Sequence, residues 1–125
     1  MIQITPHIRI YLCTETVDFR KGIDGLVGVC QQLLDKDPFS GSMFVFRNKR
    51  RTTLKILIYD GQGFWLFVKR LSHGRFKWWP EKSKAEDNST CGHTLGLKAG
   101  ELQLLLWNGD VSRATIGPDW KKVVV

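Results

Sequence analysis

The sequence lacks any apolar run near the roughly 20 residues that a membrane-spanning helix needs. Its opening, MIQITPHIRIYLC, has neither the basic start nor the uninterrupted apolar core of a secretory signal. A cytoplasmic protein with no membrane partner is therefore expected. Cysteine is scarce: Cys13, Cys30 and Cys91 are odd in number and far apart, matching neither a disulfide framework nor a zinc ribbon, and they read as reduced thiols. Cys30 falls on an apolar helical stripe and reads as a small buried hydrophobe. Cys91 and His93 offer two metal ligands, but no second pair stands at ligand spacing, and His7 and His73 have no evident partners. No metal site is expected.

Signatures of catalysis are also missing. Gly61-Gln62-Gly63 lies between two apolar runs, not between a strand and a helix as a phosphate loop requires, and there is no Gly-x-Ser-x-Gly elbow. Acidic residues number 12 against 19 basic ones. Two-metal nuclease chemistry needs several carboxylates converging on ions about 3.5–4 Å apart. Asp18 reads instead as a helix cap, Asp24 as part of a solvated helix face and Asp60 as a turn residue, while Glu101, Asp110 and Asp119 are scattered toward the other end. No catalytic residue and no cofactor is expected. A carboxylate cluster assembled by the fold stays open, because spacing along the chain does not exclude one.

What the chain does have is a basic, strand-rich stretch from Met43 to Trp79. From Arg47 to Lys84 eleven basic residues face only Asp60 and Glu81, a local excess of nine in a chain whose net charge is +7. The positive charge thus belongs to one segment, which points to a polyanionic partner.

At 125 residues, with 42% hydrophobic and 25% charged residues, the chain suits one globular domain with its own core. Ile8 to Leu12 alternates as a strand after Pro6, and Thr14 to Asp18 reads as a turn. Ile23, Leu26, Val27, Cys30, Leu33 and Leu34 recur at helical spacing, predicting a helix over Asp18 to Leu34 with Asp18 as N-cap and Pro38 beyond its end. Gly22, Gly25 and Gly28 lie inside it, each costing about 1 kcal/mol relative to alanine. Close packing against a sheet would explain them. So would an anion site in which Arg20 and Lys21 join exposed backbone N–H groups.

Met43 to Arg47, Leu54 to Tyr59 and Phe64 to Leu71 read as three strands of an antiparallel meander, joined by the basic turn Asn48 to Thr52 and by Asp60-Gly61-Gln62-Gly63. Ser72-His73-Gly74 turns the chain again into Arg75 to Trp79. The strands are apolar on both faces near their centres, as at Ile56, Leu57 and Ile58, so a helix or another chain should cover the second face. Glu81 to His93 reads as a surface loop, and Leu97 to Trp107 as a short helix ended by Asn108-Gly109.

Two turns gather the cations: Arg47, Lys49, Arg50 and Arg51 around one, and Lys69, Arg70, Arg75 and Lys77 around the other. With Lys55, Arg20 and Lys21 they are the expected phosphate contacts. Trp65, Trp78 and Trp79 lie among them, and an exposed ring could stack on an unpaired base, although core packing is the commoner fate of such rings. A solvated rim that aids solubility is the plain alternative for the basic residues.

The segments DFRKGIDGL, DPFSGSMFVFRNKRR, LKILIYDGQGFWLFVKRLSHGRF and GLKAGELQLLLWNGD stand in that order through most of the chain. In this it resembles the TnpB-type accessory proteins of insertion sequence 66 elements. The resemblance implies a bacterial mobile element's second open reading frame, encoded beside a separate, larger transposase and required for transposition, with no established catalytic activity. The chain is not similar to the much larger RNA-guided nucleases that share the TnpB label. It departs from the family in the polar stretch Lys82 to His93 and in VSRATIGPDWKKVVV, which inherit nothing from the match.

The expectation is therefore a single α+β domain over residues 1–110: an antiparallel sheet of four or five strands, one main helix packed on it and a short C-terminal helix. Residues 111–125 would form a divergent, poorly ordered tail. The expected function is a non-enzymatic transposition accessory protein that binds DNA at the element ends through its basic face and assists the transposase, with a homo-oligomer among the expected partners. An adaptor that meets the transposase without touching DNA is the alternative, and a metal-dependent nuclease using Asp18, Asp24 or Asp60 is a third reading.

Overall fold

The structure is a computed structural model that describes residues 8–79 and 94–109. The expected loop at 81–93 and the tail at 111–125 lie outside these residues, as do His7, Cys91, Asp110 and Asp119. The elements run β1 (Ile10–Thr16), α1 (Ile23–Gln32), β2 (Met43–Arg47), β3 (Thr53–Tyr59), β4 (Phe64–Arg70), β5 (Thr94–Leu97) and α2 (Ala99–Leu106). The five strands form one sheet in the order β4-β3-β2-β1-β5.

The fold is α+β, but the sheet is mixed where an all-antiparallel one was expected. β1 pairs with β2 in parallel, Ile10 beside Met43 and Leu12 beside Val45. A parallel pair needs a crossover of a dozen or more residues, and α1 supplies it. The meander expectation holds for β2, β3 and β4, which pair antiparallel. β5 then adds antiparallel to the free side of β1, with Ile10 opposite Leu97.

Alternation of side chains divides the sheet between two cores. On one face Leu26, Cys30 and Leu34 pack with Cys13, Phe44, Phe46 and Leu57. On the other, Leu102 and Leu105 pack with Ile10, Leu12, Val45, Leu54, Ile56, Phe76 and Trp79. All five residues of β2 are buried because a helix covers each face there. A buried side chain of this size contributes about 1.5–3 kcal/mol.

α1 is shorter than its apolar spacing implies. Its N-cap is Gly22, not Asp18, and no side chain caps it. Asp18 instead closes the preceding turn, where its Oδ1 accepts from the Arg20 N–H at 2.9 Å. A Cβ at Gly28 would meet nothing within 4 Å, and one at Gly25 would meet the Lys21 side chain, so tight helix–sheet packing does not explain these glycines. Thr14 to Asp18 is not a simple turn either: β1 runs on to Thr16 through a register shift after Leu12. Arg75 to Trp79 forms no strand and crosses the second core as an irregular segment anchored by Phe76 and Trp79.

Candidate nucleic-acid interface

Residues 16–20 and the turn between β2 and β3 face each other across an open cleft of ≈ 820 Å³, lined by Asp18, Arg20, Asn48, Lys49, Arg50, Thr52 and, from the end of β4, Arg70. Asn48 builds the turn. Its Oδ1 accepts from the N–H groups of Thr52 at 3.0 Å and Thr53 at 3.2 Å, and its Nδ2 donates to Thr52 Oγ1 at 3.0 Å. Arg51 closes the loop in the left-handed region, φ 64°. Its N–H donates to the Asn48 carbonyl, and its own carbonyl accepts from Phe76 N–H at 2.8 Å. The turn is thereby fastened at its base and its far side, and Lys49 and Arg50 are left exposed.

The opposite wall carries an ion pair. Arg20 donates to Asp18 through both Nε and Nη2, the latter at 2.9 Å. The guanidinium's hydrogen bonds hold the Asp18 carboxyl down at about 2 and push the Arg20 guanidinium further up. Both side chains are exposed. The pair offsets one of the cleft's positive charges, so its net cationic character comes from Lys49, Arg50 and Arg70, with Lys21 exposed nearby at the approach to α1.

Several expected contacts belong elsewhere. Arg47 is buried, 8% exposed, and its Nη1 donates to the Asn48 carbonyl. Its position on a fully buried strand takes it out of a surface interface. Lys55 Nζ donates to the carbonyls of Phe19 at 3.0 Å and Lys21 at 3.1 Å, tying β3 to the turn before α1. Lys69 donates to the Leu106 carbonyl at the C-terminus of α2, where a cation also complements the helix dipole. Lys69 and Arg70, being adjacent on a strand, point to opposite faces, so the second basic turn does not form one cluster. Arg75 and Lys77 are exposed, and the Asn108 side chain holds their backbone through the Arg75 carbonyl and the Lys77 N–H.

The tryptophans are not gathered at the cleft. Trp79 is 5% exposed and its Nε1 donates to the Cys13 carbonyl, while Trp78 is half-buried against the second core. Trp79 therefore presents no free ring face. Trp65 is exposed, with Nε1 bonded to Asp60 Oδ2 at 2.7 Å and its ring parallel to that of Phe67. It lies on the face of β4 opposite Arg70.

Asp60 also accepts from the N–H groups of Gln62 and Gly63, and these bonds lower its carboxyl below the ordinary range. Asp18 and Asp60 thus each have a role in a turn. Among the described residues no three His, Cys, Asp or Glu side chains come together as a metal-ligand set. Nor is any described helix long and apolar enough to cross a membrane. Asn48 escaped the sequence reading of the site, although an Asn opening a short polar turn between strands is a recognisable Asx-turn signal.

Residues 8–113 match the family model described as "IS66 Orf2 like protein". Two similar proteins come from Sinorhizobium fredii. "Uncharacterized protein y4jC" is 41% identical over 85 residues, covering 68% of this chain and 73% of its own length. "Uncharacterized protein y4hO" is 38% identical over 78 residues, covering 62% and 68% respectively. No solved structure matches the chain.

Proposed function

The chain belongs to the IS66 Orf2-like family of insertion-sequence accessory proteins, and from that premise we propose that it is a non-enzymatic DNA-binding protein that assists its element's transposase. The observation that carries this reading is the cleft between residues 16–20 and 48–53, where exposed Lys49, Arg50 and Arg70 surround one opening. The Asn48 hydrogen bonds hold two of these cations on a pre-formed turn, so little ordering is needed when phosphates bind. The interactions are with the backbone of the nucleic acid, which supplies affinity and register without reading bases.

Mobility shifts of duplex DNA across a salt series test the reading. Changing Lys49, Arg50 and Arg70 to glutamine should weaken binding and flatten the dependence of log K on log salt by about 0.9 for each phosphate that is no longer neutralised. An unchanged slope would remove the cleft from the interface. Capture of the transposase by the chain in the absence of DNA, together with no DNA binding by the chain alone, would replace this reading with the adaptor.

A further inference from the structure

We propose that β4 is a self-pairing edge, through which two copies of the chain join antiparallel about a two-fold axis at Phe67 to make one continuous sheet. The inference stands apart from DNA binding, because of the cleft's cations only Arg70 lies on β4, and the positions that test the pairing, Phe67 and Trp65, do not line the cleft.

The hydrogen-bond phase of the hairpin fixes which backbone groups are free to pair. Leu71 N–H donates to the Thr52 carbonyl and Asp60 N–H to the Gly63 carbonyl, bracketing the ladder between β3 and β4. The pairs in phase with them are Leu54 with Lys69, Ile56 with Phe67 and Ile58 with Trp65. Those residues therefore bond inward, and the N–H and C=O groups of Phe64, Leu66, Val68 and Arg70 point outward. Among the described residues no strand lies beyond β4. Edge strands are usually blunted by proline, a bulge, short length or charged side chains, and the charges of β4, Lys69 and Arg70, stand only at its last two positions. β4 has seven residues in unbroken register, begins FWLFV and contains no proline. Trp65 is 45% exposed, Phe67 41% and Val68 57%.

A second copy fits this edge in charge as well as in hydrogen bonding. The one antiparallel register that uses all seven residues places the axis at Phe67. Leu66 then bonds to the partner's Val68, and Phe64 to the partner's Arg70. Between these bonded pairs Phe67 meets its own copy, and Trp65 meets the partner's Lys69. Each cation of β4 thus faces an aromatic ring, and no like charges oppose each other. Asp60, whose carboxylate holds the Trp65 indole, stands at the end of the strand that receives the partner's Lys69 and Arg70.

Beside this edge a groove of ≈ 440 Å³, lined by Leu54, Ile56, Phe67, Leu106 and Trp107 among others, opens on the same face as Trp65 and Phe67. Pairing would set the partner's Phe67 at its mouth.

Sedimentation equilibrium of the full chain over a range of concentrations tests the proposal. The unaltered chain should reach a dimer, and Phe67→Lys, which opposes two ammonium groups at the axis, should raise the dissociation constant at least about tenfold. A positional test covers the case in which that variant fails to fold. In a Cys91→Ser background, Phe67→Cys should cross-link to itself under mild oxidation, because directly opposed Cβ atoms lie about 4.5–5.5 Å apart. Trp65→Cys, which faces Lys69, should not cross-link. A chain that stays monomeric at every concentration, a dimer indifferent to Phe67→Lys, equal cross-linking at both positions, or pairing of β4 with a different protein in place of itself would each overturn it.

Discussion

The Arg47 guanidinium lies 5.6 Å from the ring centroid of Trp79, and both side chains are buried. A cation and an aromatic that the sequence offers as nucleic-acid contacts are thus spent on each other and on the core. Trp79→Ala should lower unfolding stability by about 3–5 kcal/mol in urea titrations. Arg47→Ala should also destabilise the chain, yet leave the salt slope of DNA binding unchanged under conditions where the variant is folded.

Asn48 separates shape from charge in the cleft. Asn48→Ala removes three hydrogen bonds and no charge. It should cost about 1–3 kcal/mol of stability and weaken DNA binding while the salt slope persists. Parallel urea and mobility-shift measurements read the two effects separately.

The Asp18 and Arg20 pair predicts a titration. The folded-state carboxyl is held at about 2, below its ordinary 3.8, chiefly by the Arg20 side chain. A depressed folded value means that the pair's contribution is present above about 3.8 and is lost as pH falls through about 2. NMR titration of the Asp18 carboxyl carbon should show that low midpoint, and Arg20→Ala should move it up toward 3.8.

Burial pushes the Cys13 thiol up to about 11 and the Cys30 thiol up to about 12. Thiolate is the reactive form. In a Cys91→Ser background the folded chain should therefore resist a thiol-specific reagent at neutral pH, and both residues should react once denaturant unfolds it. Rapid labelling of either thiol in the native protein would contradict the burial of the first core.

The β2–β3–β4 meander is legible in the sequence because its signals are local: apolar alternation and an Asp-Gly turn whose carboxylate bonds its own loop. Asn108-Gly109 likewise marks the end of α2, Asn108 taking φ 63°. The parallel pairing of β1 and β2 is less visible, since a strand's residues carry no record of its partner's direction. Only the order strand, helix, strand hints at it. β5 has four residues, two of them exposed, and gives almost no alternation to detect. The cleft depends on bringing Arg20, Asn48 and Arg70 together from separate parts of the chain. Basic composition alone does not distinguish such cations from Lys55 and Lys69, whose ammonium groups bond backbone carbonyls.

The place of β1 in the sheet bears on how the chain matures as it is made. Its two neighbours are β2, reached across α1, and β5, which places Leu97 opposite Ile10. Until that distant segment leaves the ribosome, β1 has one open edge and the second core lacks Leu102 and Leu105. The nascent protein can therefore close its hairpins early but must wait for its last described helix before the sheet is covered on both faces. That interval of late, long-range closure is when it is most exposed to aggregation.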